Sequence, residues 1–222
     1  DTLTLDILEQ VMSKNTKKFS LNLTYRLPYA VAVFSGYIID TDIEKRCVNK
    51  QDKKYLPSVI RCNDVNQQID FIVREIYNKD LKDVGILVHN NKSVEEVLEI
   101  VKQKVNEIYQ SDEKRKKPII SYKINDDEHL NFREKNSITI MVFHSSKGTQ
   151  FENVFIPKCD KESIYSSEQN YDKALFVACT RTSKNLYILY DSKIGLTKLI
   201  EKIDKTTYNR YKYSFGKITR EI

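Results

Sequence analysis

Short apolar runs of strand length alternate along this chain with longer segments of helical period, and that rhythm restricts the fold more than any other feature. The runs Ser58 to Cys62, Val84 to His89, Ile119 to Lys123, Ile138 to Phe143, Val154 to Pro157 and Leu186 to Tyr190 are β-branched or aromatic and bounded by polar residues. Between the first two, Val65, Ile69, Ile72, Val73 and Ile76 recur at helical spacing. After the second, Val97, Leu98, Val101, Val105 and Ile108 do the same. Strands separated by helices predict an α/β domain with a mostly parallel sheet and helices on both faces. Ser93 with Glu96 three residues on reads as a capping box for the second helix.

Composition narrows the function classes. Lys+Arg at 37 against Asp+Glu at 31 give a formal charge of +6, which permits a nucleic-acid partner without requiring one. The four cysteines, Cys47, Cys62, Cys159 and Cys179, form no Cys-x-x-Cys pair, so neither a zinc ribbon nor a small disulfide scaffold is expected. His89 and His129 have no partner at ligand spacing, and no metal site is expected. No apolar stretch approaches the roughly 20 residues that span a bilayer, and the start lacks a secretory pattern, so the expectation is a soluble, reduced, cytoplasmic protein without membrane contact. No repeat or Gly/Ser linker divides the chain. One domain over 1–205 is expected, followed by a basic tail over 206–222. The charged run Asp112 to Pro118 reads as a solvated turn.

Three stretches carry chemistry. Ile138 to Ile156 holds an apolar strand, the turn His144-Ser-Ser-Lys-Gly148, and a second strand that begins near Phe151. About 30 residues on comes Leu175-Phe-Val-Ala-Cys-Thr-Arg-Thr-Ser-Lys-Asn-Leu186, read as a helix carrying Thr180-Arg181 into a strand. Near the start stands Leu21-Asn-Leu-Thr-Tyr-Arg-Leu27. In that order they resemble motifs V, VI and IV respectively of UvrD/Rep-like superfamily 1 DNA helicases, with IV first in the chain, and the resemblance runs from about Leu21 to Tyr190.

The resemblance implies the C-terminal RecA-like domain of such a motor, of the P-loop NTPase type but without a phosphate loop of its own. Ser146-Lys147-Gly148-Thr149 has its Lys and Gly in the wrong order for that loop and lacks the upstream glycine. About 20 residues separate the strand near Ile119 from motif V, too few for a large helical insertion.

By this resemblance Arg26 and Arg181 are catalytic arginines that meet the γ-phosphate across a domain interface, Tyr25 stacks on adenine, and Gln150 stands where the family places a ribose-contacting acid. Lys147 and Gly148 belong to the same nucleotide-binding set, and His144 and Ser145 face single-stranded DNA. ATP and Mg²⁺ would be bound mainly by an N-terminal RecA-like domain of the same polypeptide, leaving this portion alone inactive. Other readings stay open: Tyr25 as core packing, His144 as a histidine at a strand end, and Cys179 as a helix-packing residue. Thr24, Leu27, Val142 and Gln150 replace the family's Asn, Ser, Thr and Glu, each losing polar chemistry. The alternative function is therefore a degenerate, non-catalytic module that binds nucleic acid or a protein.

Overall fold

The computed structural model describes residues 23–48, 55–110, 112, 114–125, 127–131, 134–161 and 170–221. The first residues of motif IV, Leu21 and Asn22, lie outside them, as does the start of the chain. In order, the elements are α1 (Tyr29–Ile38), a 3-10 turn (Ile43–Arg46), β1 (Ser58–Cys62), α2 (Val65–Lys79), β2 (Val84–Val88), α3 (Asn91–Tyr109), β3 (Ile119–Ile124), β4 (Asp127–His129) and β5 (Ser137–Val142). They continue with a 3-10 turn (His144–Ser146), β6 (Phe151–Ile156), α4 (Tyr171–Cys179), β7 (Thr182–Asp191), α5 (Lys198–Glu201), β8 (Asn209–Ser214) and β9 (Lys217–Arg220).

A nine-stranded sheet in the order β4-β3-β5-β2-β6-β7-β1-β8-β9 organises all of it. The neighbours from β3 through β8 pair in parallel, and only the outermost strands β4 and β9 are antiparallel. The α/β architecture expected from the alternating pattern is thus the observed one. β2 is buried at every position, as a parallel strand covered on both faces must be.

Each face of the sheet has its own core. On one, the α2 stripe Ile69, Ile72, Val73 and Ile76 packs with Val97, Leu98, Val101 and Val105 of α3 over Ile60, Ile86, Ile140 and Leu189. On the other, Phe34 and Ile38 of α1 and Leu175, Ala178 and Cys179 of α4 cover Leu87, Met141, Phe151 and Ile188. Sequence periodicity located the first pair of helices because each has an exposed flank. Most of α1 is buried, so it shows no stripe.

Three expectations are corrected. The start of α3 is capped by Asn90, whose side chain accepts from the Ser93 backbone N–H at 2.8 Å; Ser93 lies inside the helix and is buried. Glu96 pairs instead with Lys158 across the domain. Thr180 and Arg181 are not on a helix: α4 ends at Cys179, and the two residues form the turn into β7, which begins four residues earlier than the apolar run suggested.

Finally, the basic tail expected over 206–222 is built into the sheet across its described residues, 206–221. Its strand β8 extends the sheet by pairing in parallel with β1, and β9 closes that edge as a hairpin. Tyr213 is buried with its ring edge-on to Phe71, centroids 5.3 Å apart. Tyr211 and Tyr213 recur at the strand period, a signal hidden beneath the count of basic residues.

Candidate nucleotide cleft and nucleic-acid turn

The parallel register between β6 and β7 sets Phe151 against Thr182. The residues just before them, Gln150 and Arg181, therefore stand side by side at the same end of the sheet, and the Phe151 N–H donates to the Arg181 carbonyl at 2.9 Å. Motif IV reaches this place by a different device. Thr24 forms a parallel bridge with Cys47, donating to the Arg46 carbonyl at 2.8 Å and accepting from the Val48 N–H at 3.1 Å. Pro28 then leads into α1, whose fixed φ suits a helix start.

Together these segments enclose a cavity of about 580 Å³. Its lining includes Tyr25, Arg26, Arg46, Gly148, Thr149, Gln150, Phe176, Thr180 and Arg181, with three arginines and no carboxylate. Residues from all three motifs thus meet in one place. Tyr25 is 72% exposed, which excludes the core-packing reading and leaves a free ring at the cavity wall. Arg26 donates from Nη1 to Oε1 of Gln150 at 3.1 Å.

Arg181 is half-buried and firmly oriented. Its Nε donates to the Val177 carbonyl at 2.9 Å, Nη1 to the Thr149 carbonyl at 3.4 Å, and Nη2 to the Thr180 hydroxyl at 3.2 Å. A guanidinium has five N–H donors, so these bonds leave two for a ligand. All three acceptors are neutral, so the positive charge is positioned without being cancelled. Burial lowers the Arg181 guanidinium from its ordinary value, which is so high that the group keeps its proton. The Val177 carbonyl also accepts from the Thr180 hydroxyl at 2.9 Å, which closes the end of α4 on the residues that present the charge.

Gly148 lines the cavity with φ +89°, a backbone region that side chains disfavour, and a Cβ there would meet nothing within 4 Å. Conformation, not crowding, accounts for the glycine. The turn before it is pinned from inside: buried Ser146 donates to the Phe143 carbonyl at 2.6 Å, and Thr149 donates to the Ser146 carbonyl at 2.8 Å. His144 is exposed and Ser145 half-buried on this turn, beyond the C-terminal end of β5. Lys147 is exposed and does not line the cavity.

Arg46 was missed by the sequence reading. It belongs to none of the motifs, and its approach depends on the bridge between Thr24 and Cys47, which neither segment announces. Among the described residues Arg26, Arg46 and Arg181 have no carboxylate within ion-pair distance.

Such a cavity suits a polyanion with a planar ring: three cations concentrate positive potential, and Tyr25 offers a stacking face. It does not fit a resident Mg²⁺, which needs oxygen ligands and usually carboxylates. No group of three or more His, Cys, Asp or Glu side chains able to hold a metal occurs among the described residues. The four cysteines are free and buried, and Cys179, whose thiol burial pushes up, packs rather than reacts. Among the described residues no helix is long and apolar enough to cross a membrane.

The fold and the motif order are those expected of a helicase-type C-terminal domain, and comparison with known proteins shows the family. Residues 6–193 match the model of the UvrD-like helicase C-terminal domain, and the chain belongs to that family. A stretch of 52 residues is 36% identical to the RecB subunit of the RecBCD enzyme from Chlamydia pneumoniae, covering 23% of this chain and 5% of that protein. The chain thus corresponds to a small part of the curated relative it matches. The fold resembles the C-terminal domain of a possible DNA helicase from Lactobacillus plantarum WCFS1, with a TM-score of 0.61 and 15% identity over 84% of this chain and 98% of that one. That likeness speaks to the fold alone.

Proposed function

We propose that this domain is one half of an ATP-driven DNA helicase or translocase, supplying arginines and an adenine-stacking ring to a nucleotide held mainly by a second RecA-like domain of the same polypeptide. One observation carries the reading: Tyr25, Arg26, Gln150 and Arg181, from three separate motifs, line one cavity that has no carboxylate.

On this reading Arg181 acts on charge that develops during phosphoryl transfer. Its guanidinium is already oriented by neutral acceptors, so little reorganisation is needed when the γ-phosphate oxygens gain negative charge. An arginine so placed contributes on the order of 10³ to 10⁵ in rate. Arg26 is held beside it through Gln150 and meets the same phosphates. Tyr25 lies against adenine. The Mg²⁺ that ATP requires would be held outside this cavity, consistent with the missing carboxylates. The exposed His144 and half-buried Ser145 contact the backbone of single-stranded DNA, a contact that holds the strand without reading its bases. Because phosphate loop and arginines sit on different domains, closing and opening the cleft couples the nucleotide cycle to motion along that strand.

The test is DNA-stimulated ATP hydrolysis by the intact protein and its Arg181→Ala variant. Turnover in the unaltered protein that falls by at least a hundredfold in the variant supports the motor. Normal turnover in the variant excludes Arg181 from catalysis, and no turnover in the unaltered protein leaves a non-catalytic binding module.

A further inference from the structure

The turn joining β8 to β9 holds a residue poorly suited to it. Phe215 and Gly216 form a two-residue hairpin loop, with φ +50° and +75°. Loops of this kind favour Asn-Gly, because both central residues adopt the left-handed region and an aromatic side chain there is strained. Burial does not compensate, since the Phe215 ring is 91% exposed. Ile218 beside it is also exposed, as are Lys212, Lys217 and Arg220. In the hairpin register Lys212 and Lys217 share one face and Ile218 and Arg220 the other, and a strained, exposed aromatic at the tip beside two lysines suits a ligand that offers both flat rings and negative charge.

Its position fits the same ligand. β5 and β8 run in one direction, so the turn after each lies on the same edge of the sheet. His144 follows β5, and Phe215 follows β8. Five strand steps separate them in the sheet order, roughly 4.8 Å each and about 24 Å in all. A strand of nucleic acid crossing this edge from the His144 turn would pass the hairpin.

We propose that the β8–β9 hairpin is a second contact for single-stranded nucleic acid, with Phe215 stacking on a base and Lys212 and Lys217, which share one face of the hairpin, near the phosphates. The inference rests on the reading of the His144 turn as a nucleic-acid contact. A protein partner is the less suitable occupant, because the exposed apolar surface, made by Phe215 and Ile218, is small. Base stacking on an aromatic is sequence-tolerant and survives replacement by another aromatic.

The experiment is equilibrium binding of a fluorescent single-stranded oligonucleotide to the intact protein, alongside thermal denaturation. Phe215→Asn separates the ring from the fold, since Asn-Gly suits the turn better: affinity should fall about tenfold while Tm holds or rises. Phe215→Trp should keep the affinity, and Lys217→Gln should flatten the salt dependence by about one unit of slope. Unchanged affinity in Phe215→Asn overturns the proposal, and does so in favour of protein docking if that variant loses a protein that co-purifies with the unaltered one. If His144→Ala weakens binding and Phe215→Asn does not, only the hairpin contact is lost. Failure of the unaltered protein to bind overturns the DNA contact at His144 as well.

Discussion

Arg26 is held at the cavity by Gln150, its Nη1 3.1 Å from the amide oxygen Oε1, in a contact that joins motif IV to motif V across 124 residues of sequence. The acceptor is neutral, so Arg26 is oriented while its charge stays available. A carboxylate at 150 would instead form an ion pair, worth about 0–1 kcal/mol at an exposed site, and would offset the cationic potential of the cavity. Gln150→Glu is expected to lower ATP turnover several-fold with little change in Tm, measured by steady-state hydrolysis in the intact protein. A rise in turnover would show that Gln150 is only a weakened version of the family's acid.

Arg181 braces the structure as well as facing the cavity. Removing its side chain leaves the Val177 and Thr149 carbonyls without its donors and loosens the end of α4. Arg181→Ala should therefore cost about 1–3 kcal/mol of stability in addition to its effect on turnover. Thermal denaturation checks this. Arg181→Lys keeps the charge and loses the fork, and should be nearer the unaltered protein in Tm while still impaired in hydrolysis.

Arg46 should behave differently because it is exposed and only its backbone is tied into the Thr24 bridge. Arg46→Ala is expected to weaken equilibrium binding of a fluorescent ATP analogue by about three- to tenfold, roughly 0.7–1.4 kcal/mol, with Tm almost unchanged. Equal affinity in the variant would remove Arg46 from the nucleotide cleft.

Deleting 206–222 should unfold the domain rather than trim it. The deletion would expose the edge of β1 and remove Tyr213 from its place against Phe71. Truncating a buried aromatic alone costs about 3–5 kcal/mol, a large share of a typical domain's stability. Circular dichroism of the truncated chain should show lost cooperativity at temperatures where the untruncated chain is folded.

What the sequence disclosed follows from the range of its signals. The α2 and α3 stripes and the strands at Ser58 and Val84 are local patterns, and the structure reproduces them within a residue or two. The helix α1 was illegible because burial nearly all round erases the helical period. Asn90 was overlooked as a cap because a Ser-x-x-Glu pattern lay three residues on, although Ser93 is buried within the helix. In the candidate site, motif order indicated that Tyr25, Arg26, Gln150 and Arg181 belong together. Their actual meeting depends on the β6–β7 register and on the bridge at Thr24, which are long-range pairings. Arg46 and the exclusion of Lys147 from the cavity depend on the same pairings and have no local sign.

The most direct test of the central claim is photolabelling of the intact protein with 2-azido-ATP, followed by mapping of the modified peptides. Label is expected on Tyr25 or its immediate neighbours in the cavity wall, lost when excess ATP is added and strongly reduced in Tyr25→Ala. Label competed by ATP yet confined to peptides outside the cavity lined by Tyr25, Arg26, Gln150 and Arg181 would contradict it.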